Sequence, residues 1–114
     1  MASPDGFRLT VAESGGTAQL ELAGEFDLAA VGQVEAVLDG VFQAPAPGRV
    51  VLDLRHLRFI DAAALGTILR AGERSRAAAI ELFVVRPRGL ANRVFTLTRA
   101  GRELSLVDGP EVLA

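Results

Sequence analysis

The chain has no cysteine, no tryptophan, no tyrosine and no lysine. Without thiols it can form neither a disulfide nor a thiolate metal site. The one histidine, His56, stands in an RHLR stretch with no second imidazole and no suitably spaced carboxylate, so it reads as a solvated loop residue and no metal is expected. Six phenylalanines are the only aromatics and the formal net charge is −2, which leaves out the basic, stacking face of a general nucleic-acid binder. The all-arginine set of twelve basic residues is read as a codon bias of the source rather than as a recognition surface. Although half the residues are apolar, no uninterrupted run approaches the ~20 that a membrane span needs. The opening MASPDGFRLT has no basic head followed by an apolar core, and a cytoplasmic protein is expected.

What is present is a regular alternation of two periodicities. Residues 7–13 (FRLTVAE) and 17–23 (TAQLELA) alternate apolar and polar side chains around Ser14-Gly15-Gly16, the pattern of a β-hairpin. The stretch GEFD at 24–27 breaks the alternation, and Asp27 is placed to cap a helix over 28–42, where Val31, Val34, Leu38 and Val41 recur at helical spacing. The APAPG run at 44–48 ends it. The nearly all-apolar RVVLDL at 49–54 suits a strand covered on both faces. A loop at 57–61 leads to Asp61, the next capping candidate, and an amphipathic helix follows over 62–77. A strand is predicted at 80–85. A third helix begins in the turn of Pro87, runs through Leu90, Val94, Phe95 and Leu97, and is ended by Gly101. Residues 103–107 could add a short edge strand, and DGPEVLA beyond them reads as frayed.

The predicted class is therefore α/β: one domain over residues 1–114 with an ordered core of about 6–107. Its order is β-β-α-β-α-β-α with a final β, and its mixed, mostly parallel sheet has four to five strands with helices packed against it. If the second and third strands are parallel neighbours, the loops at 24–27 and 57–61 emerge together at the carboxyl end of the sheet, where α/β domains bind. Catalysis is not expected there. Glu25, Asp27 and Asp61 have no nucleophile beside them, helix capping explains the two aspartates first, and neither G-x-x-x-x-G-K-[ST] nor a G-x-G-x-x-G after a strand occurs. No cofactor is expected.

The run LDLRHLRFIDAAALGTIL resembles the signature of the STAS domain family, the sulfate-transporter and anti-sigma-factor-antagonist family. Its centre reads Leu-Asp-Leu, several residues, then an apolar residue and Asp-Ser-Ser-Gly-Leu-Gly. Upstream, LAGEFDLAA is similar to the family's Gly-Glu-x-Asp loop, and the order of elements agrees over nearly the whole chain. The resemblance implies an antagonist that binds a kinase-like anti-sigma factor and frees a sigma factor, with phosphorylation of a serine at the start of the second helix switching binding off. Matched residue by residue, Asp61 takes the motif aspartate, Ala62 and Ala63 the two serines, Ala64 the glycine, Leu65 the leucine and Gly66 the second glycine. The usual phosphoacceptor is thus replaced by Ala63, which has no hydroxyl. Arg99 is a second departure, standing where a glycine commonly follows Leu-Thr.

Several readings of the alanines stay open. The chain is a constitutive antagonist, or a STAS scaffold subunit of a stress-signalling complex, transporter or lipid-transport machine, or the alanines are introduced substitutions, or they are simply good helix formers. A small-molecule sensor is a third class, and a thermal-shift screen with nucleotides and lipids would reveal it. Thr67, one turn beyond Ala63, is a substitute phosphoacceptor or an ordinary helix residue. The expected partner surface comprises Glu25, Asp27, Asp61, Ala62, Ala63, Ala64, Leu65, Gly66 and the arginines Arg70 and Arg74, the last two being otherwise a solvated helix face. Neither nucleic acid nor membrane insertion is expected, and a weak homodimer is left open.

Overall fold

Two glycines in left-handed conformations, Gly15 (φ 58°) and Gly16 (φ 80°), turn strand β1 (Phe7–Ser14) into strand β2 (Thr17–Phe26). A two-residue turn with both φ positive matches the right-handed twist of the strands it joins. The computed structural model describes residues 6–43, 45–98 and 100–113. Arg99 and Ala44, both named above, lie outside the described residues. After β2 come helix α1 (Leu28–Phe42), strand β3 (Arg49–Ile60), helix α2 (Ala62–Ala77), strand β4 (Glu81–Val85), helices α3 (Gly89–Thr96) and α4 (Ala100–Glu103), strand β5 (Leu106–Val107) and a 3-10 turn (Pro110–Leu113). The sheet runs in chain order β1-β2-β3-β4-β5, with β1 antiparallel to β2 and every other pair parallel. Sheet class and element order are those expected from the sequence, with α4 in addition.

The core lies on one side of the sheet. Leu20, Leu22 and Phe26 of β2, Val50, Leu52 and Leu54 of β3 and Val84 of β4 form one buried cluster with Val34 and Leu38 of α1, Ala64 and Ile68 of α2, and Ala91 and Phe95 of α3. Phe26 stacks on Phe7 with ring centroids 5.3 Å apart. On the other side, the register places Gln19, Val51 and Phe83 in one row and Glu21, Asp53 and Val85 in the next.

The bounds of α1 and α2 are the expected ones, but both parallel strands that precede them are longer than predicted. β2 continues through Gly24, Glu25 and Phe26, and β3 continues through the RHLRFI stretch to Ile60, so no loop at 57–61 exists and His56 is an exposed strand residue paired with Ala23. The reason is a pair of bulges. The ladder partner of residue n in β2 is n+32 up to Glu21↔Asp53, n+33 at Ala23↔His56 and n+34 at Phe26↔Ile60. Each step inserts one extra residue in β3, interrupting the alternation that a sequence reading relies on. Gly24 has φ +90°, and a Cβ there would overlap the Gly6 carbonyl oxygen, whose acceptor is taken by the Glu25 N–H.

The third helix also differs. It begins at Gly89 rather than at Pro87 and stops at Thr96. Thr98 then turns the chain: its hydroxyl donates to the Val94 carbonyl at 2.5 Å and accepts from the Ala100 N–H at 3.3 Å, starting α4. Gly101 therefore lies inside α4, where a Cβ would overlap the Phe95 carbonyl oxygen, so the glycine serves the close approach of α4 to α3 and not the end of a helix. β5 is shorter than the predicted 103–107. The tail read as frayed forms the 3-10 turn, and Arg49 Nη1 donates to the Leu113 carbonyl at 3.2 Å.

Candidate functional site

Because Phe26 and Ile60 are ladder partners, the last residues of β2 and β3 deliver Asp27 and Asp61 side by side to the carboxyl end of the sheet. Both have extended backbone and both cap the helix that follows. Asp27 Oδ1 accepts the Ala29 N–H at 3.0 Å. Asp61 does more than its sequence position suggests: Oδ1 accepts the Ala64 N–H of α2 at 2.9 Å, while Oδ2 accepts the Leu28 N–H of α1 at 3.0 Å. One carboxylate thus satisfies orphan donors of two helices. It lies at the amino ends of two helices, where the backbone N–H groups present partial positive charge. Both aspartates are thus the helix caps expected from the sequence, and both carboxylates are engaged by backbone N–H groups.

Around these caps the predicted residues divide. Ala62 and Glu25 are exposed, and Ala63, Leu65 and Gly66 are partly so. Ala64 is fully buried in the core beneath α2 and has no surface to offer a partner, which corrects its inclusion in the contact set. Thr67 is buried as well. Its hydroxyl donates to the Ala63 carbonyl at 3.3 Å and accepts from Arg70 Nη2 at 3.2 Å, so it is an internal helix residue and no accessible phosphoacceptor.

Arg70 and Arg74 are neither free nor simply solvated. Arg70 pairs with Glu35 at 3.2 Å and Arg74 with Asp39 at 2.6 Å, and Arg74 also lies over the Phe42 ring at 5.0 Å. The 35-residue offset shared by the two pairs reflects α1 and α2 running parallel. Pairs this exposed contribute little each. Replacing Arg74 with alanine is expected to cost less than about 1 kcal/mol in urea unfolding, with most of that from the lost stacking.

Two features were missed from the sequence. The first is apolar: Leu28 at the start of α1 (70% exposed), Phe59 (48%) and Leu90 (76%) stand open at this end of the molecule. Leu28 and Leu90 lie in predicted helices, and only the position of those helices shows that they face outward. The second is Asp53, the acid of the LDL run, which is completely buried. Arg55, an extra residue at the first bulge, folds back on it with its backbone N–H at 3.2 Å and its guanidinium at 3.0 and 2.8 Å, and Gln19 Nε2 stands 3.5 Å away. Burial pushes the Asp53 pKa up, but the hydrogen bonds and charge of Arg55, with a smaller contribution from His56, outweigh it and hold the carboxyl below its ordinary value. Among the described residues no group of three or more His, Cys, Asp or Glu is placed to hold a metal ion, and no helix is long and apolar enough to cross a membrane.

A family model described as "STAS domain" matches residues 8–109. No relative among the curated proteins matches the chain. Among solved structures, an anti-sigma factor antagonist from Mycobacterium paratuberculosis is similar, with a TM-score of 0.84 at 22% identity over 98% of this chain and 94% of that one. SpoIIAA from Bacillus in its phosphorylated form aligns with a TM-score of 0.72 at 20% identity over 93% of this chain and 96% of that one. An antisigma-factor antagonist STAS domain from Rhodobacter sphaeroides gives 0.60 at 23% over 72% and 88%. At these identities the likeness establishes the fold.

Proposed function

The chain belongs to the STAS domain family, and from that premise we propose that it is a non-catalytic, cytoplasmic protein-binding module acting as an anti-sigma-factor antagonist. It docks on a kinase-like anti-sigma factor through the paired amino ends of α1 and α2, displacing a sigma factor. The observation that carries this reading is the open, small-residue start of α2, where exposed Ala62 and half-buried Ala63 follow the doubly bonded Asp61 and lie at the same end as exposed Leu28. Small side chains let a partner backbone approach closely, and the caps are already satisfied, so docking need not break them.

The same position explains why the interaction is not switched in the usual way. A phosphate on residue 63 would add a charge of ≈ −1.5 to −2 at the centre of the contact. Burying such a charge uncompensated costs on the order of 2–5 kcal/mol, or roughly 30- to several-thousand-fold in affinity. Ala63 cannot carry it and Thr67 is buried, so the docking surface stays in its binding state. A surface that cannot be switched off also suits a scaffold subunit of a larger assembly. The two readings separate in a pull-down from the native host, which recovers an anti-sigma kinase in one case and transporter or other complex subunits in the other.

The direct test is Ala63→Glu, titrated by calorimetry against kinase-like anti-sigma factors of the source organism. A dissociation constant at least tenfold weaker, about 1.4 kcal/mol, is expected, and an unchanged constant would sink the assignment. Ala63→Ser is expected to become a phosphate acceptor when the bound partner is supplied with ATP, read by intact mass.

A further inference from the structure

Helix α3 is apolar on two faces. Ala91 and Phe95 enter the core, at 3% and 0% exposure. Leu90, Val94 and Leu97 follow one another at spacings of four and three and so share a second stripe. Its two ends are uncovered, with Leu90 and Leu97 76% and 75% exposed, while Val94 between them is partly buried. Beside it, the second bulge of β3 presents Arg58 and Phe59. Together Arg58, Phe59, Ile60, Leu90, Ala91 and Val94 line a groove of ≈ 270 Å³.

Arg58 lines this groove, and two further exposed arginines, Arg88 and Arg93, lie close to Leu90 in the chain. Arg49, Arg55, Arg70, Arg74 and Arg86 each have a carboxylate within 4.0 Å, whereas among the described residues Arg58, Arg88 and Arg93 have none, nor do Arg8, Arg76 and Arg102 elsewhere on the molecule. Arg58 borders Phe59, Arg88 immediately precedes α3, and Arg93 lies one turn beyond Leu90 on the same side of the helix. An apolar floor with these three arginines complements a segment that carries carboxylates beside an apolar face. The groove also adjoins the docking surface, since Ile60 on its floor is the residue before Asp61.

We propose that this groove holds an acidic, amphipathic helical segment of the protein that docks on α1 and α2, giving that partner a second contact and selecting it by charge. The proposal rests on the docking reading above and adds the chemistry of the partner. A symmetric pairing of two copies would bring the same three arginines face to face. A bilayer surface would engage the protruding Leu90 and Phe59 but not Ile60 and Ala91 on the buried floor, and vesicles distinguish it from a protein segment in the test below.

The chain has neither tryptophan nor tyrosine, so Phe59→Trp is a clean reporter, read as the difference from the wild-type complex. On titration with the kinase-like anti-sigma factor its emission is expected to shift to the blue. Arg58→Glu combined with Arg93→Glu, both exposed and checked for folding by circular dichroism, is expected to weaken the dissociation constant about tenfold, with a smaller loss in high salt. Unmoved emission and a constant within twofold of wild type, in a complex that Ala63→Glu does weaken, would overturn the groove and leave the docking reading intact. The converse pattern would overturn the docking reading and make the groove the partner's first contact rather than its second. Emission that shifts with phosphatidylglycerol vesicles alone, or with self-association in sedimentation, would overturn the proposal in favour of a membrane or a second copy. If no anti-sigma factor binds, both readings fall together.

Discussion

Replacing Asp53 with alanine should destabilise the protein by about 2–4 kcal/mol at neutral pH, although the residue lies on the face of the sheet away from the main core. Removing one member of a buried ion pair costs about 3–5 kcal/mol when the other is stranded. Here the Arg55 side chain is about a quarter exposed and can turn to water, which lowers the estimate, while the cavity beneath it and the lost Gln19 contact restore part. Asp53→Asn keeps the shape and isolates the charge. Because the folded-state pKa lies below the unfolded value, the carboxylate's stabilisation is present above about pH 4 and is lost as pH falls through the folded pKa. Urea midpoints of wild type and Asp53→Asn should therefore differ at pH 7 and converge toward pH 3. A gap that persists undiminished at pH 3 would show that geometry rather than charge carries the effect.

Asp61→Ala is expected to cost about 2 kcal/mol, roughly twice an ordinary cap, because it removes acceptors from Ala64 of α2 and Leu28 of α1 together. Asparagine discriminates between this double role and a simple cap. Its amide offers only one oxygen, so Asp61→Asn can keep the Ala64 bond or the Leu28 bond but not both, and its NH₂ then faces an N–H. A loss near 1 kcal/mol is predicted for asparagine, measured by denaturant unfolding. If asparagine equals wild type, the bond across to α1 contributes nothing. Hydrogen exchange supplies an independent reading, since both helix amino ends should lose protection in Asp61→Ala.

The helices were legible because local chemistry determines them. Val34, Leu38 and Val41 mark the buried stripe of α1, and Asp27 and Asp61 were identifiable as caps from type and position. The parallel order followed from strands separated by helices. The ends of β2 and β3 were not legible: a bulge leaves no periodic trace, and the polar RHLR looks like a loop when its alternation is interrupted twice. Nor could sequence separate the two faces of α3. Leu90 and Phe95 are equally apolar, and only the packing of Ala91 and Phe95 against β3 and α4 determines which goes inside. Within the candidate site, the alanines and both aspartates could be named in advance. The second bond of Asp61, the burial of Asp53 and the basic groove depend on contacts between residues far apart in the chain.

The two bulges also make the length of β3 a functional quantity. β3 has 12 residues where β2 has 10, and the two extra ones bring Ile60 level with Phe26. Deleting either extra residue would draw Asp61 back by about 3.3 Å along the strand and reverse the side from which its side chain emerges. Its carboxylate would leave the Leu28 N–H, and the start of α2 would no longer stand level with that of α1. Arg55 and Arg58 sit at these insertions, one closing the buried pair with Asp53 and the other bordering the groove. Single-residue deletions in 54–59 should therefore be tolerated far less well than substitutions at the exposed positions among them, His56, Arg58 and Phe59, and a deletion scan scored by soluble yield and thermal midpoint would map the two bulges directly.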